Sequence, residues 1–246
     1  NASGVLKGLH GEMSNLAGIA GGVLVAGLAA ATAAFGALTA ATIFSVREAM
    51  AAEDVQFRLA AVLKSTKSAA GLTATELNNM AGALQNMTAF DDEAIGSAQA
   101  LLLTFTNIGK DIFPDVTQAV LDTSAALGQD LKSSAIQIGK ALQDPILGMT
   151  ALRRVGVAFT DQQEEMVKKM IESGQGMQAQ KLILAELKTE FGGMAQAMGE
   201  TTGGGIAKVQ NRLGDILEQI GGEFLPGMQE VSKAILETLS SPEFDA

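Results

Sequence analysis

The feature that most constrains the fold is a repeated pair of signals, a capping residue at the start of a segment and a glycine at its end. Thr73 with Glu76, and Thr160 with Gln163, have the spacing of a capping box, in which two side chains satisfy the first free amides of a helix. A glycine in a left-handed conformation is the commonest way to end a helix. Such glycines follow the amphipathic segments at Gly71, Gly128, Gly156 and Gly174. This succession predicts consecutive short helices.

The composition supports the same fold class. The chain is 47% apolar, but aromatic residues make up only 4%, and there is no Trp or Tyr. Aromatic side chains supply much of the area buried in thick cores. Their scarcity, with 28 glycines and no β-branched runs, favours helices packed on helices. We therefore predict an all-α fold of consecutive amphipathic helices, with an Ala/Gly-rich hydrophobic helix near the N-terminus and a short coiled coil near the C-terminus.

Changes in composition predict four regions along the chain. Residues 1–47 form a hydrophobic helical segment that could insert into a membrane, and residues 48–193 form a helical domain. Residues 194–205 read as a Gly-rich hinge, and residues 206–246 as amphipathic or coiled-coil helices.

No charged residue lies between Glu12 and Arg47. A transmembrane helix needs about 20 apolar residues, and this run is longer, although it is rich in Ala, Gly and Thr and only moderately hydrophobic. Small residues four apart let two helices approach closely. The alternative, a helix buried among protein partners, would be apolar all round as well. The candidate residues for membrane insertion or helix packing are Gly18, Gly22, Ala26 and Leu28.

A second apolar pattern lies near the C-terminus, with the alternating spacing of three and four that marks a coiled-coil seam. It lasts little more than two heptads, so an ordinary amphipathic helix would also explain it. The mixture of Ile and Leu fits more than two strands, and we predict self-association of a few copies through this seam. Its residues are Ile206, Val209, Leu213, Ile216 and Ile220.

A third pattern predicts a tight corner between helices. Asp144 suits an N-cap, and Pro145 suits the first helical position, where no amide partner is lost. Gly156 would end that short helix and Thr160 would begin the next.

Signals for chemistry are weak. A net charge of −10 argues against nucleic-acid binding, which depends on clustered Lys and Arg. The chain has no Cys and one histidine, His10, so a zinc site would have to rely on carboxylates. The carboxylates at 91–93 suit a helix start better than a cation site. We predict no catalytic, cofactor-binding or metal-binding residues, hence no enzyme, and no specific nucleic-acid binding.

Several ordered segments resemble tail tape measure proteins of long-tailed bacteriophages. The similarity extends over residues 123–193 and is looser from about residue 50 to 245. The segments that carry it are TSAALGQDLKSSAIQIGK (123–140), ALQDP (141–145), TALRRVGVAFT (150–160), ESG (172–174) and AQKLILAELKTEFGG (179–193).

The resemblance implies a function as well as a helical fold. Tape measure proteins lie in the tail tube as a few copies, set its length during assembly, and contact the tube and tail tip proteins. They leave the tube at infection, and their hydrophobic parts help DNA cross the host envelope. The chain would then belong to the phage tail and, on infection, to the host envelope, with DNA passing after its release. Fully helical, 246 residues would span about 370 Å, so we expect one portion of a longer protein.

Two other readings remain open. The uncharged run with the amphipathic helices could form a membrane-active pore or translocation protein of another kind. The chain could also be a soluble helical adaptor.

Overall fold

The computed structural model describes residues 24–223, 225, 226 and 229, with side chains from residue 45 onward. This part of the chain is helical and contains no strand, which confirms the all-α prediction. The helices are α1 (Leu24–Ser65), α2 (Ala74–Met87), α3 (Asp92–Leu102), α4 (Phe113–Leu127), α5 (Leu131–Gln143), α6 (Pro145–Arg153), α7 (Asp161–Glu172), α8 (Gly176–Phe191), α9 (Met194–Glu200) and α10 (Thr202–Gly222).

Helix α4 lies at the centre of the packed body. It contacts α3, α5, α8 and α9, and its Phe113, Val116 and Val120 are fully buried. The predicted capping residues and terminating glycines produce this arrangement, because each helix end lets the next helix turn back onto its neighbours. Both capping boxes form, at Thr73 and at Thr160.

Helix α1 spans the domain boundary predicted at residue 47, and the domain division itself stays a prediction. It is one uninterrupted helix of 42 residues, about 63 Å long, and it continues through residue 47. The helix ends at Ser65, six residues before Gly71. Lys67 and Ser68, which follow the helix, adopt left-handed backbone angles. Within the described range, no helix combines the length and apolarity needed to cross a bilayer.

The predicted hinge at residues 194–205 is also helical. Helix α9 occupies its first half, and α10 begins at Thr202, so the single break is Thr201. The Thr201 hydroxyl accepts a hydrogen bond from the Gly204 amide at 3.0 Å and so starts α10. Gly204 also lies against the Met198 carbonyl, where a side chain would not fit. The glycines thus permit close helix contact.

Helix α10 packs along α1 in the opposite direction. Gly221 lies against the Ser45 backbone, while Glu218, one turn earlier, lies beside Ala52 and Gln56. Farther along the sequence, Gln229 donates a hydrogen bond to Glu53 of α1 at 3.3 Å.

Candidate functional site: the two faces of helix α10

The outward face of α10 carries the apolar seam predicted from the sequence. All five of its large aliphatic side chains are exposed, with 49% to 61% of their surface accessible. Soluble proteins rarely leave a contiguous apolar stripe of this size uncovered unless it binds something. These side chains are Ile206, Val209, Leu213, Ile216 and Ile220. Self-association through them remains a prediction.

The inward face of α10 is made of small and polar residues. Among its 21 residues only Gly204 and Gly221 are buried. Leu217 is half-buried between the two faces. Five of the six large aliphatic side chains of α10 therefore point away from the body, which is the reverse of an ordinary surface helix.

Where α10 meets α2 and α3, carboxylates converge around one amide. The Gln85 side-chain nitrogen donates to Asp91 and Asp92 at 3.2 Å and to Asp215 at 3.0 Å. Gln85 is itself buried. Glu93 and Glu218 complete a group of five acidic residues that we call the carboxylate cluster. Arg212 supplies positive charge at its edge through a 3.3 Å contact with Asp215.

Burial and crowding shift the acidity of this cluster. Burial, followed by hydrogen bonds with Asp91 and Asp92, raises the pKa of Glu93 to about 9. The pKa of Asp92 is raised mainly by burial, although its hydrogen bond with Glu93 opposes this. Burial also raises the pKa of Glu218, with the neighbouring aspartates adding repulsion. Burial and mutual repulsion therefore favour the protonated form of these carboxyl groups over that of separated carboxylates.

The expectation that residues 91–93 serve a helix start is only partly met. Asp91 stands at the N-cap of α3, but its side chain makes no capping hydrogen bond. Asp91 accepts a hydrogen bond from Gln85 instead, because α2 lies within reach.

Oxygen atoms of Asp91, Asp92 and Asp215 lie within 4.8 Å of one another, as in a site for Mg²⁺ or Ca²⁺. The Gln85 amide already bonds to all three residues, so we assign the cluster to helix contact.

The junction residues occupy the positions expected from the sequence. The Asp144 carboxylate accepts from the Leu147 amide at 3.2 Å, and Pro145 opens α6. Gly156 has a φ of 103°, and Thr160 caps α7. Arg153 then closes the corner, since its guanidinium reaches the Phe159 carbonyl at 2.8 Å and Glu164 at 2.6 Å.

The membrane and helix-packing candidates are placed only in part. Gly18 and Gly22 lie outside the described residues. Ala26 and Leu28 belong to the first turns of α1, and their side chains also lie outside the described part.

An open cleft of about 520 Å³ is lined by residues of α4, α8 and α9. Lys181 and Lys188 line one side of it, and Asp115 and Asp122 the other. Asp122 is buried, and it accepts from the Ala195 amide at 3.0 Å and from Gln118 at 3.1 Å. This aspartate therefore holds the start of α9 in place, which makes its role structural.

Sequence reasoning missed the carboxylate cluster. Gln85 and Asp215 are 130 residues apart in the chain, and each alone resembles an ordinary surface residue. The only local signal is that Asp215 and Glu218 lie on the side of α10 opposite the seam.

The fold and this site define an all-α protein whose last described long helix joins a polar docking face to an exposed apolar face. Comparison with known protein families, curated proteins and solved structures finds no match to this chain.

Proposed function

We propose that the chain is a structural portion of a phage tail tape measure protein, which lies in the tail tube, sets tail length during assembly and is ejected to help genome delivery. The observation that carries the proposal is the exposed apolar seam of α10. It occurs in a chain whose residues 123–193 resemble that family. No catalytic role is part of the proposal.

The seam gives the proposal its mode of assembly. A few copies associate through α10, with the Ile, Val and Leu side chains of the seam in a core of more than two strands. The partners are further copies of the chain, then the tail tube and tail tip proteins. The net charge of −10 lets DNA pass without binding once the protein has left the tube.

The hydrophobic segment supplies the delivery step in this proposal. Residues 1–47 insert into the host envelope, with Gly18, Gly22 and Ala26 allowing close helix contact. Helix α1 runs from this segment into the packed body without a break, which couples the two mechanically. A double change, Ala26→Asp with Leu28→Glu, is expected to leave tails assembled but to reduce genome delivery.

Tail length tests the measuring role directly. Duplicating residues 206–239 adds 34 residues, so tails should lengthen by about 50 Å in electron micrographs if the segment lies extended. The control is a Gly/Ser insertion of equal length at residue 206. Unchanged length would place the ruler elsewhere in the parent chain, and purified tails without peptides of this chain would refute the virion assignment.

The uncharged run before Arg47 favours a second candidate, a membrane-active pore or translocation protein unrelated to phage tails. Liposome flotation of the isolated chain separates the two. Strong spontaneous binding to zwitterionic vesicles would favour this second candidate over a protein that stays in a tail until infection.

A further inference from the structure

Helix α10 is attached to the body in an unusual way. Two of its glycines lie directly against other backbone, with Gly221 against Ser45 and Gly204 against Met198. The burial of one large aliphatic side chain stabilises a contact by roughly 1.5–3 kcal/mol, and the five in the seam add nothing here because they point outward. Helix α10 also packs along α1 through small residues, so its polar contacts with α2 and α3 are the part of its docking that pH can change.

Those polar contacts are dominated by negative charge. Asp215 and Glu218 of α10 face Asp91, Asp92 and Glu93 at the start of α3. Helix α1 adds Glu48 and Glu53 beside Glu218. Helix α2 contributes the uncharged Asn78, Gln85 and Asn86.

Two donors hold this surface together. The single amide nitrogen of Gln85 is shared among three carboxyl groups. Arg212 contacts Asp215 and also donates to Asn86 at 2.8 Å. Neither donor can neutralise five carboxylates, so a proton kept by the cluster reduces the repulsion between α3 and α10.

We propose that α10 is a proton-dependent latch, held on α2 and α3 while the carboxylate cluster keeps a proton and released when that proton is lost. Release separates Asp215 and Glu218 from the aspartates of α3 and frees the inward face of α10 together with the small-residue surface of α1. The latch is a property of the fold, and it does not depend on the tape measure assignment.

The sign of the effect follows from linkage. The pKa of Glu93 is raised to about 9 in the docked state, while a separated Glu has an ordinary value near 4.3. The docked state therefore binds more protons than the released state between these values. Docking is strongest below the ordinary pKa and weakens as the pH rises toward the raised one.

Spin labels can report α10 docking because the chain has no cysteine of its own. Ala83→Cys on α2 and Gln219→Cys on α10 place both labels at exposed positions. Pulsed electron resonance is then measured between about pH 5 and pH 10. We expect one short distance at acid pH and a growing population of longer distances at alkaline pH.

Glu93→Gln is the decisive variant, because it keeps the shape of the side chain and cannot lose a proton. It should keep α10 docked up to about pH 10. Asp215→Asn, which removes one charge from the α10 side, should raise the midpoint of release by about one pH unit, a tenfold change in the docking equilibrium. The matched control is Glu165→Gln on α7, a side chain with 76% of its surface exposed, which should leave the midpoint unchanged.

A second pair of labels distinguishes the release of α10 from unfolding of the whole chain at alkaline pH. Asn79→Cys on α2 and Gln178→Cys on α8 are both exposed and span the body, so their distance should stay constant while α10 is released. The proposal is overturned if the α2–α10 distance does not change with pH, or if the Glu93→Gln variant releases α10 at the wild-type midpoint. It is also overturned if the α2–α8 distance changes together with the α2–α10 distance.

Discussion

Two buried glutamines have opposite surroundings. The amide of Gln180, on α8, donates to the carbonyls of Asn107 at 3.0 Å and Leu142 at 2.9 Å, so it joins α8 to the end of α5 and to the loop before α4. Gln99, on α3, is completely buried, yet neither its nitrogen nor its oxygen has a hydrogen-bond partner among the described residues. Desolvating a polar group without a partner is unfavourable by about 1–3 kcal/mol.

This contrast predicts opposite effects for one substitution. Gln99→Met should raise the free energy of unfolding in urea by about 1–3 kcal/mol, because it removes unpaired polar atoms at similar volume. Gln180→Met is the matched comparison and should lower it by a similar amount, since two carbonyls lose their donor. Equal destabilisation by the two changes would show that the Gln99 amide has a partner.

Helices pack most closely where glycine removes the side chain between them. Gly148 of α6 lies directly against the backbone of Ala141 in α5, which allows the sharp corner that Asp144 and Pro145 begin. Gly82 of α2 has nothing within 4 Å of the position a side chain would take. The same residue type therefore has a packing role in one helix and none in the other.

Alanine substitutions distinguish these two glycines. Gly148→Ala should destabilise the chain by about 1–3 kcal/mol through overpacking. Gly82→Ala should stabilise it by about 0.5–1 kcal/mol, because glycine loses more backbone entropy in a helix. Urea unfolding measures both, and tolerance of Gly148→Ala would mean that α5 and α6 can separate without loss.

The seam of α10 is the element on which assembly is predicted to depend. Leu213→Glu should weaken self-association roughly thirtyfold, as expected for about 2 kcal/mol of lost apolar burial. The circular dichroism spectrum should not change, since Leu213 is exposed in the single chain. Leu147→Glu on α6, with 69% of that side chain exposed, is the control for sedimentation measurements. A monomeric wild-type chain, or equal effects of both changes, would contradict the predicted role of the seam.

For the whole molecule, two sets of acidic groups make stability depend on pH in opposite directions. A 2.7 Å contact with Lys110, followed by hydrogen bonds from Thr73, lowers the pKa of Glu76 to about 2. That contribution is present above the ordinary pKa of Glu and is lost as the pH falls toward 2. The carboxylate cluster has raised pKa values, so its contribution is lost as the pH rises toward 9.

The free energy of unfolding should therefore be greatest in mildly acidic solution and decline on both sides. Urea titrations across the pH range measure it. Glu76→Gln should flatten only the acid side, and Glu93→Gln only the alkaline side. A maximum above about pH 8 in the unmodified chain would contradict the shifted carboxyl groups of the cluster.

The sequence by itself determined what is decided within a few neighbouring residues. The capping boxes at Thr73 and Thr160 and the glycine at 128 position helix ends through hydrogen bonds and backbone angles that span one turn. The apolar stripe from Ile206 to Ile220 follows from helical periodicity alone. The all-α fold class follows from the capping residues, the glycines and the composition.

Only the tertiary structure decided which contacts join distant parts of the chain. In the structure, α1 continues across residue 47 and the glycines at 203–205 are helical. Local glycine and charge patterns did not reveal this, because they do not show which helix packs against a segment. The tertiary structure also brought Asp215 to Gln85 across 130 residues, and left Gln99 buried without a partner. Each depends on the packing of several helices at once, whereas sequence patterns describe one helix at a time.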